Sequence, residues 1–285
     1  MMFSLRNLRY TRSLSIAALL SILAVSSAPA LADIMISPTR AVLDDNNRQT
    51  TIILRNPGTV ERAYRLSWSE RRMDARGNMV KLKEGENRQS AANLVRFSPK
   101  RVVVGPGQLQ TVRLNYRPIQ NLQPGEYRSH LVIGLEPQQS GTKVMEDQQQ
   151  GISVQLNALI SFGLPVFVRH GPGKANINIV AVTPDKLNSG PTPSPALRIE
   201  MTRSGEFGSF GRIVVYQQLD ANAPVVEIGR ASNVAIYAES DRSNKLVELD
   251  NKAKLSPGSW IRVVYEGEGA EMGRVFAEKT FQIGK

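Results

Sequence analysis

Few residues of this 285-residue chain could do covalent chemistry. There is no cysteine, and the two histidines, His130 and His170, stand far apart with no spacing partner for a metal. Thiolate-built zinc is excluded outright. Gly208-Ser209-Phe210-Gly211 resembles the tail of a G-x-S-x-G elbow, but Phe207 stands where the first glycine belongs, and no helix is expected after it. Gly267-Glu268-Gly269 is a loop without a following helix, so it makes no phosphate cradle. Asp44-Asp45 shares a turn with Asn46-Asn47, where short acids favour turn geometry without any reaction. The expectation is a protein that is not an enzyme and uses no cofactor and no metal.

Three features remain, and all suit recognition. One is Arg40, whose alternative reading is an exposed strand arginine. The second is the polar stretch from Pro137 to Gln150. The third is the run from Gly151 to Gly171, where Ile152, Val154, Leu156, Ala158, Ile160 and Phe162 fall on one side of a two-residue period. Ser153, Gln155, Asn157 and Ser161 fall on the other, with Leu159 the exception. Period two means a strand with one apolar and one polar face. This stripe is longer than a typical strand of roughly 5–6 residues. Its plain alternative is an ordinary core strand of a two-domain surface protein.

The elements around these features read as strands. Ile52-Ile53-Leu54 stops at Asn56-Pro57-Gly58, and Tyr64, Leu66 and Trp68 alternate with Arg65 and Ser67. Arg71 to Ser90 is a long connection or a weak edge hairpin. Val112, Leu114 and Tyr116 alternate with Arg113 and Asn115, and Tyr127, Leu131, Ile133 and Leu135 share a face. After His170-Gly171-Pro172-Gly173 the texture restarts, with seven candidates between Asn176 and Ile283 and a stiff loop at Pro191–Pro195. The prediction is all-β: two immunoglobulin-like β-sandwich domains in an L-shaped arrangement, 33–172 and 173–285.

Residues 1–32 read as a signal peptide rather than fold. Arg6, Arg9 and Arg12 precede an apolar run from Leu14 to Val25, and Ala30-Leu31-Ala32 supplies small residues before Asp33. Removing those three arginines takes the formal charge from +11 to +8. The positive charge is spread out, interrupted by Asp74 and Glu84 and without interleaved aromatics, so nucleic-acid binding is not expected. Nor is membrane insertion of the mature chain.

In order and spacing, several segments resemble the periplasmic pilus and fimbrial assembly chaperones of the chaperone–usher pathway, in a divergent branch. Ile36-Ser37-Pro38-Thr39-Arg40-Ala41-Val42 resembles the family's first strand with its T-R-[AV] signature. Phe97-Ser98-Pro99 followed by Val104-Gly105-Pro106-Gly107-Gln108-Leu109-Gln110-Thr111-Val112-Arg113 resembles its "SP … L-x-P-G-x-x-Q-x-x-R" block. Gly125-Glu126-Tyr127-Arg128-Ser129-His130-Leu131 resembles the strand before its long loop. The resemblance implies pilus or fimbrial subunits and an outer-membrane usher as partners. It implies that Ile152, Val154, Leu156, Ala158, Ile160 and Phe162 are lent to a subunit lacking its last strand, and that Arg40 grips the subunit's C-terminal carboxylate. The family's usual lysine falls at Pro165, a departure for which Arg169, Lys174 or Arg117 are candidate replacements. An exposed apolar edge predicts shielding when idle, by weak self-association through the strand or by the Pro137–Gln150 loop. The alternative from another class is a secreted two-domain binding or adhesin module.

Overall fold

The computed structural model describes residues 34–74, 78–137, 160–188, 191–250, 253 and 255–283. Residues 1–32, most of the Pro137–Gln150 loop, and Ile152, Val154, Leu156 and Ala158 lie outside the described residues.

The first half holds eleven strands: β1 (Met35–Ser37), β2 (Ala41–Asp44), β3 (Gln49–Arg55), β4 (Arg62–Ser69), β5 (Arg71–Met73), β6 (Met79–Lys81), β7 (Val95–Ser98), β8 (Arg101–Val104), β9 (Leu109–Tyr116), β10 (Gly125–Leu135) and β11 (Ser161–His170). One sheet runs β1-β3-β9-β7 and the facing sheet β2-β11-β10-β4-β8, while β5 and β6 form a hairpin. Alternation builds the core between them. Tyr64 and Leu66 of β4, Val112 and Leu114 of β9, Leu131 and Ile133 of β10, and Leu164, Val166 and Val168 of β11 are all buried there.

The chain changes sheets between β1 and β2, at Pro38–Arg40, so β1 pairs with β3 while β2 pairs in parallel with β11. That crossing lifts Arg40 onto the outer face of the second sheet.

The second half holds β12 (Asn176–Leu187), β13 (Ser194–Ser204), β14 (Ser209–Gln218), β15 (Val226–Ile236), β16 (Arg242–Glu248), β17 (Trp260–Gly267) and β18 (Val275–Gln282), plus a single 3-10 turn at Gly269–Glu271. The sheets β12-β13-β16 and β15-β14-β17-β18 enclose a separate core including Ile199, Met201, Val215, Val263 and Tyr265. These strands match the seven sequence candidates in number and order. The stiff loop is shorter than expected, because Ser194 and Pro195 already belong to β13.

The join is pinned. Gly171 turns at φ +69°, where glycine is favoured, and its N–H donates to Asp45 Oδ2 at 2.8 Å. His170 Nδ1 lies 2.9 Å from Asp45 Oδ1 and 3.0 Å from the Tyr116 hydroxyl. Desolvation pushes the Asp45 carboxyl up, but the bonds from Gly171 and His170 outweigh it and hold it below the usual range. No helix among the described residues is long and apolar enough to cross a membrane.

Candidate functional site

The outer face of β10 and β11 carries the polar residues of the alternation, and the second sandwich covers them. Glu126, Arg128 and His130 point away from the first core, yet all three are buried. Glu126 is the direct ladder partner of Arg169, Arg128 of Phe167, and His130 of Pro165.

Arg169 is fully engaged. Its Nε donates to Glu126 Oε2 at 2.9 Å, its Nη1 pairs with Glu271, and its Nη2 donates to the Gly208 carbonyl at 3.0 Å. Burial alone would pull this guanidinium down. Glu126 and Glu271 outweigh it and hold it above its ordinary value. Position 208 has room only for glycine: a Cβ there would stand 2.8 Å from the Ile236 carbonyl oxygen of its own sandwich and 2.9 Å from Glu126 Oε1 of the first. Phe167 stacks on Tyr237 at 6.1 Å between centroids, and Arg128 lies 3.8 Å over the same Tyr237 ring while pairing with Glu239. Arg203 supports the far side, donating to the carbonyls of Ser240, Gly205, Phe207 and Ala238.

Arg40 occupies the same cleft and has no such partners. Its guanidinium lies between the Phe167 and Phe210 rings, 4.3 and 3.9 Å from their centroids. No carboxylate of the described residues lies within ion-pairing distance, and its buried Nε has no hydrogen-bond partner. Desolvation lowers this arginine to about 10, so it stays charged at neutral pH. The ring contacts each contribute on the order of 0.5–2 kcal/mol. An unpaired buried donor costs about 1–3 kcal/mol. A buried cation between two rings, at the wall of a cleft of about 570 Å³, is therefore suited to an arriving anion.

The strand beside it is half open. Ala41 pairs with Val166 and Asp44 with Arg169, so β2 covers β11 only from Val166 onward. From Ser161 to Pro165 the outer edge of β11 has no ladder partner among the described residues. The apolar stripe outruns its own core over the same stretch. Val166 and Val168 are fully buried, Leu164 is 3% exposed, Phe162 is half-buried against the core, and Ile160 is 44% exposed. Pro165, without an amide hydrogen, sits where the coverage stops.

The structure thus brings Arg40 and Arg169 to one cleft, with Pro165, Phe162 and Ile160 on the open half of the strand. It leaves Arg117 exposed beyond β9 and Lys174 exposed after the elbow. Arg169 is tied to two carboxylates and is not a free cation. Ser209 is buried at the start of β14 and accepts from the Tyr265 hydroxyl at 3.0 Å, which is a packing role rather than that of a nucleophile. The sequence reading missed Glu126, Arg128 and His130 as cleft residues. Their charge on the polar face of a strand was a signal, and in-register pairing of Glu126 with Arg169 would have sharpened it.

No family model matches the chain, and no curated protein matches it. Among solved structures, the Class 5 fimbriae chaperone CfaA matches at 13% identity, covering 87% of this chain and 98% of that one, with a TM-score of 0.44. The Pseudomonas aeruginosa CupB2 chaperone matches at 12%, covering 88% and 99%, with a TM-score of 0.44. A chain of the CsuC–CsuE chaperone–tip adhesion subunit pre-assembly complex, from archaic Csu pili of Acinetobacter baumannii, matches at 12%, covering 89% and 99%, with a TM-score of 0.42.

Proposed function

We propose that this protein is a periplasmic chaperone that lends the open half of β11 to pilus or fimbrial subunits lacking a strand. One observation carries the reading. A strand edge that loses its partner at Pro165, with an apolar stripe that loses its own core at Ile160, lies beside a buried arginine that has no carboxylate. The motifs quoted from the sequence support the same reading.

In this mechanism the subunit's incomplete sheet pairs with the outer edge of β11, and main-chain hydrogen bonds satisfy both edges. Ile160, Leu156, Val154 and Ile152, with Ala158 and Phe162, fill the vacant positions of the subunit's core. Each large aliphatic residue so buried contributes roughly 1.5–3 kcal/mol before association costs. Arg40 receives the subunit's C-terminal carboxylate, a task to which a planar fork of N–H donors is suited. Residues 1–32 export the chain, and the bound subunit passes to an outer-membrane usher. No step requires an enzyme or a cofactor.

Co-expression with a pilin-like subunit tests the reading. Arg40→Ala and Ile160→Asp are each expected to cut subunit recovery at least tenfold. Unchanged recovery with both variants overturns it.

A further inference from the structure

Among the described residues, Arg40 is one of four side chains with a buried nitrogen that has no hydrogen-bond partner. The others are Arg71 Nε, Arg128 Nη1 and His130 Nδ1: Arg128 and His130 stand on the outer face of β10, Arg71 reaches that face from the β5–β6 hairpin, and Arg40 from the crossing before β2. Arg40 leans toward Phe167 and Phe210. The other three follow β10 and β11 from Phe167 back to Gly163, Arg128 level with Phe167, His130 with Pro165 and Arg71 over Gly163. Arg71 Cζ lies 3.9 Å from where a Cβ on Gly163 would stand, so its guanidinium covers β11 two residues before Pro165. His130 is the ladder partner of Pro165 on β10, and Arg128 lies two residues before it on the same face. Arg128 is joined to the start of β5, its Nη2 donating to the Arg71 carbonyl at 3.0 Å.

The charges here do not balance. Glu239 occupies one nitrogen of Arg128, and Arg71 has no ion-pair partner among the described residues. His130 supplies no compensation. Burial, Arg128 and Arg71 hold it down at about 4, so the ring is neutral. Arg71 and Arg128 also line an adjoining cleft of about 430 Å³, with Arg72 and Arg88 against Glu86, Glu126 and Glu239, while Gly163 and His130 stand off its wall. Arg128 has an exposed fraction of only 8%, so its free Nη1 is a built donor rather than a surface one.

We propose that Arg71 and His130, backed by the free Nη1 of Arg128, form a second anion site over Gly163, which takes an aspartate or glutamate side chain of the chain paired along β11. This rests on the strand-donation reading for its partner, but not for its chemistry. The site differs from Arg40 in location and in ligand, a side-chain carboxylate rather than a chain terminus.

Acetate is the probe for the carboxylate. The free protein is titrated with sodium acetate, and separately with sodium chloride at matched ionic strength, while NMR follows the His130 ring and the Arg71 Nε–H. Saturable shifts with acetate alone are expected, and Arg71→Gln is expected to weaken acetate binding at least tenfold. Should Arg71→Gln fail to fold, Arg71→Lys carries the test, with weakened binding expected because lysine lacks the Nε–H. Linear shifts, identical shifts with chloride, or saturable binding indifferent to the Arg71 change would overturn the site. The outcome is independent of any subunit. Absent acetate binding alongside lost subunit recovery in Arg40→Ala would sink this site and leave strand donation standing, and the reverse pattern would do the opposite.

Discussion

The two halves of β11 share one strand and one face of one sheet, yet they are finished to different degrees. From Val166 to Arg169 the strand is zipped to β2, its apolar side chains are buried, and its arginine, Arg169, is held by Glu126, Glu271 and the Gly208 carbonyl. From Ser161 to Pro165 the edge is bare, the stripe thins toward an exposed Ile160, and the neighbouring Arg40 and Arg71 have nitrogens without partners. The same residue type is thus a clamp at one end and a vacancy at the other. The completed half holds the second sandwich against the first, and in the proposed function the incomplete half is the part that a subunit completes.

Breaking the completed half should cost most. Glu126→Gln leaves Arg169 buried with half its compensation, and the loss expected is about 3–5 kcal/mol, read by chemical denaturation. Arg40→Met offers the contrast. That guanidinium has no carboxylate to strand, so its replacement by an apolar side chain should change the free protein's stability by less than about 1 kcal/mol. Equal losses from the two variants would erase the distinction between the halves.

A smaller effect is expected from His130, and only in acid. Its folded value, about 4, lies below the ordinary 6.5. The unfolded chain therefore takes up a proton between those values while the folded one does not, and stability falls as pH drops through that window. At pH 5 the loss is about 2 kcal/mol at 1.36 kcal/mol per unit. Denaturation at pH 7 and pH 5 should show a shallower loss in His130→Gln than in the parent chain. An equal loss in both would mean that the ring is already charged in the folded cleft.

Much of this fold was legible as alternation. Tyr64, Leu66 and Trp68, or Tyr127, Leu131 and Ile133, announce an apolar face, and turns such as Asn56-Pro57-Gly58 mark where strands stop. Alternation identifies two faces but not what covers the polar one. Glu126, Arg128 and His130 read as solvent-facing, yet the second sandwich covers Glu126 and Arg128, and Arg71 of the β5–β6 hairpin stands by Arg128 and His130. The sheet change between β1 and β2, which sets Arg40 in the cleft, has no period-two signature. The approach of Arg71 to Gly163 was equally hidden, since it comes from a strand some ninety positions earlier in the chain. The Ile152–Phe162 stripe was visible as a surplus of apolar alternation, and within the described residues its last members behave as a surplus, with Ile160 exposed and Phe162 half-covered.

The claim on which everything else depends is that the bare edge of β11 pairs with a subunit. Amide hydrogen exchange at Ser161–Leu164, in the free protein and in a complex with a pilin-like subunit, tests it most directly. Amides on this stretch that are not bonded to β10 should exchange freely without the subunit and become strongly protected with it, while those of Val166–Arg169 stay protected throughout. A stable complex in which exchange at Ser161–Leu164 is unchanged would contradict it.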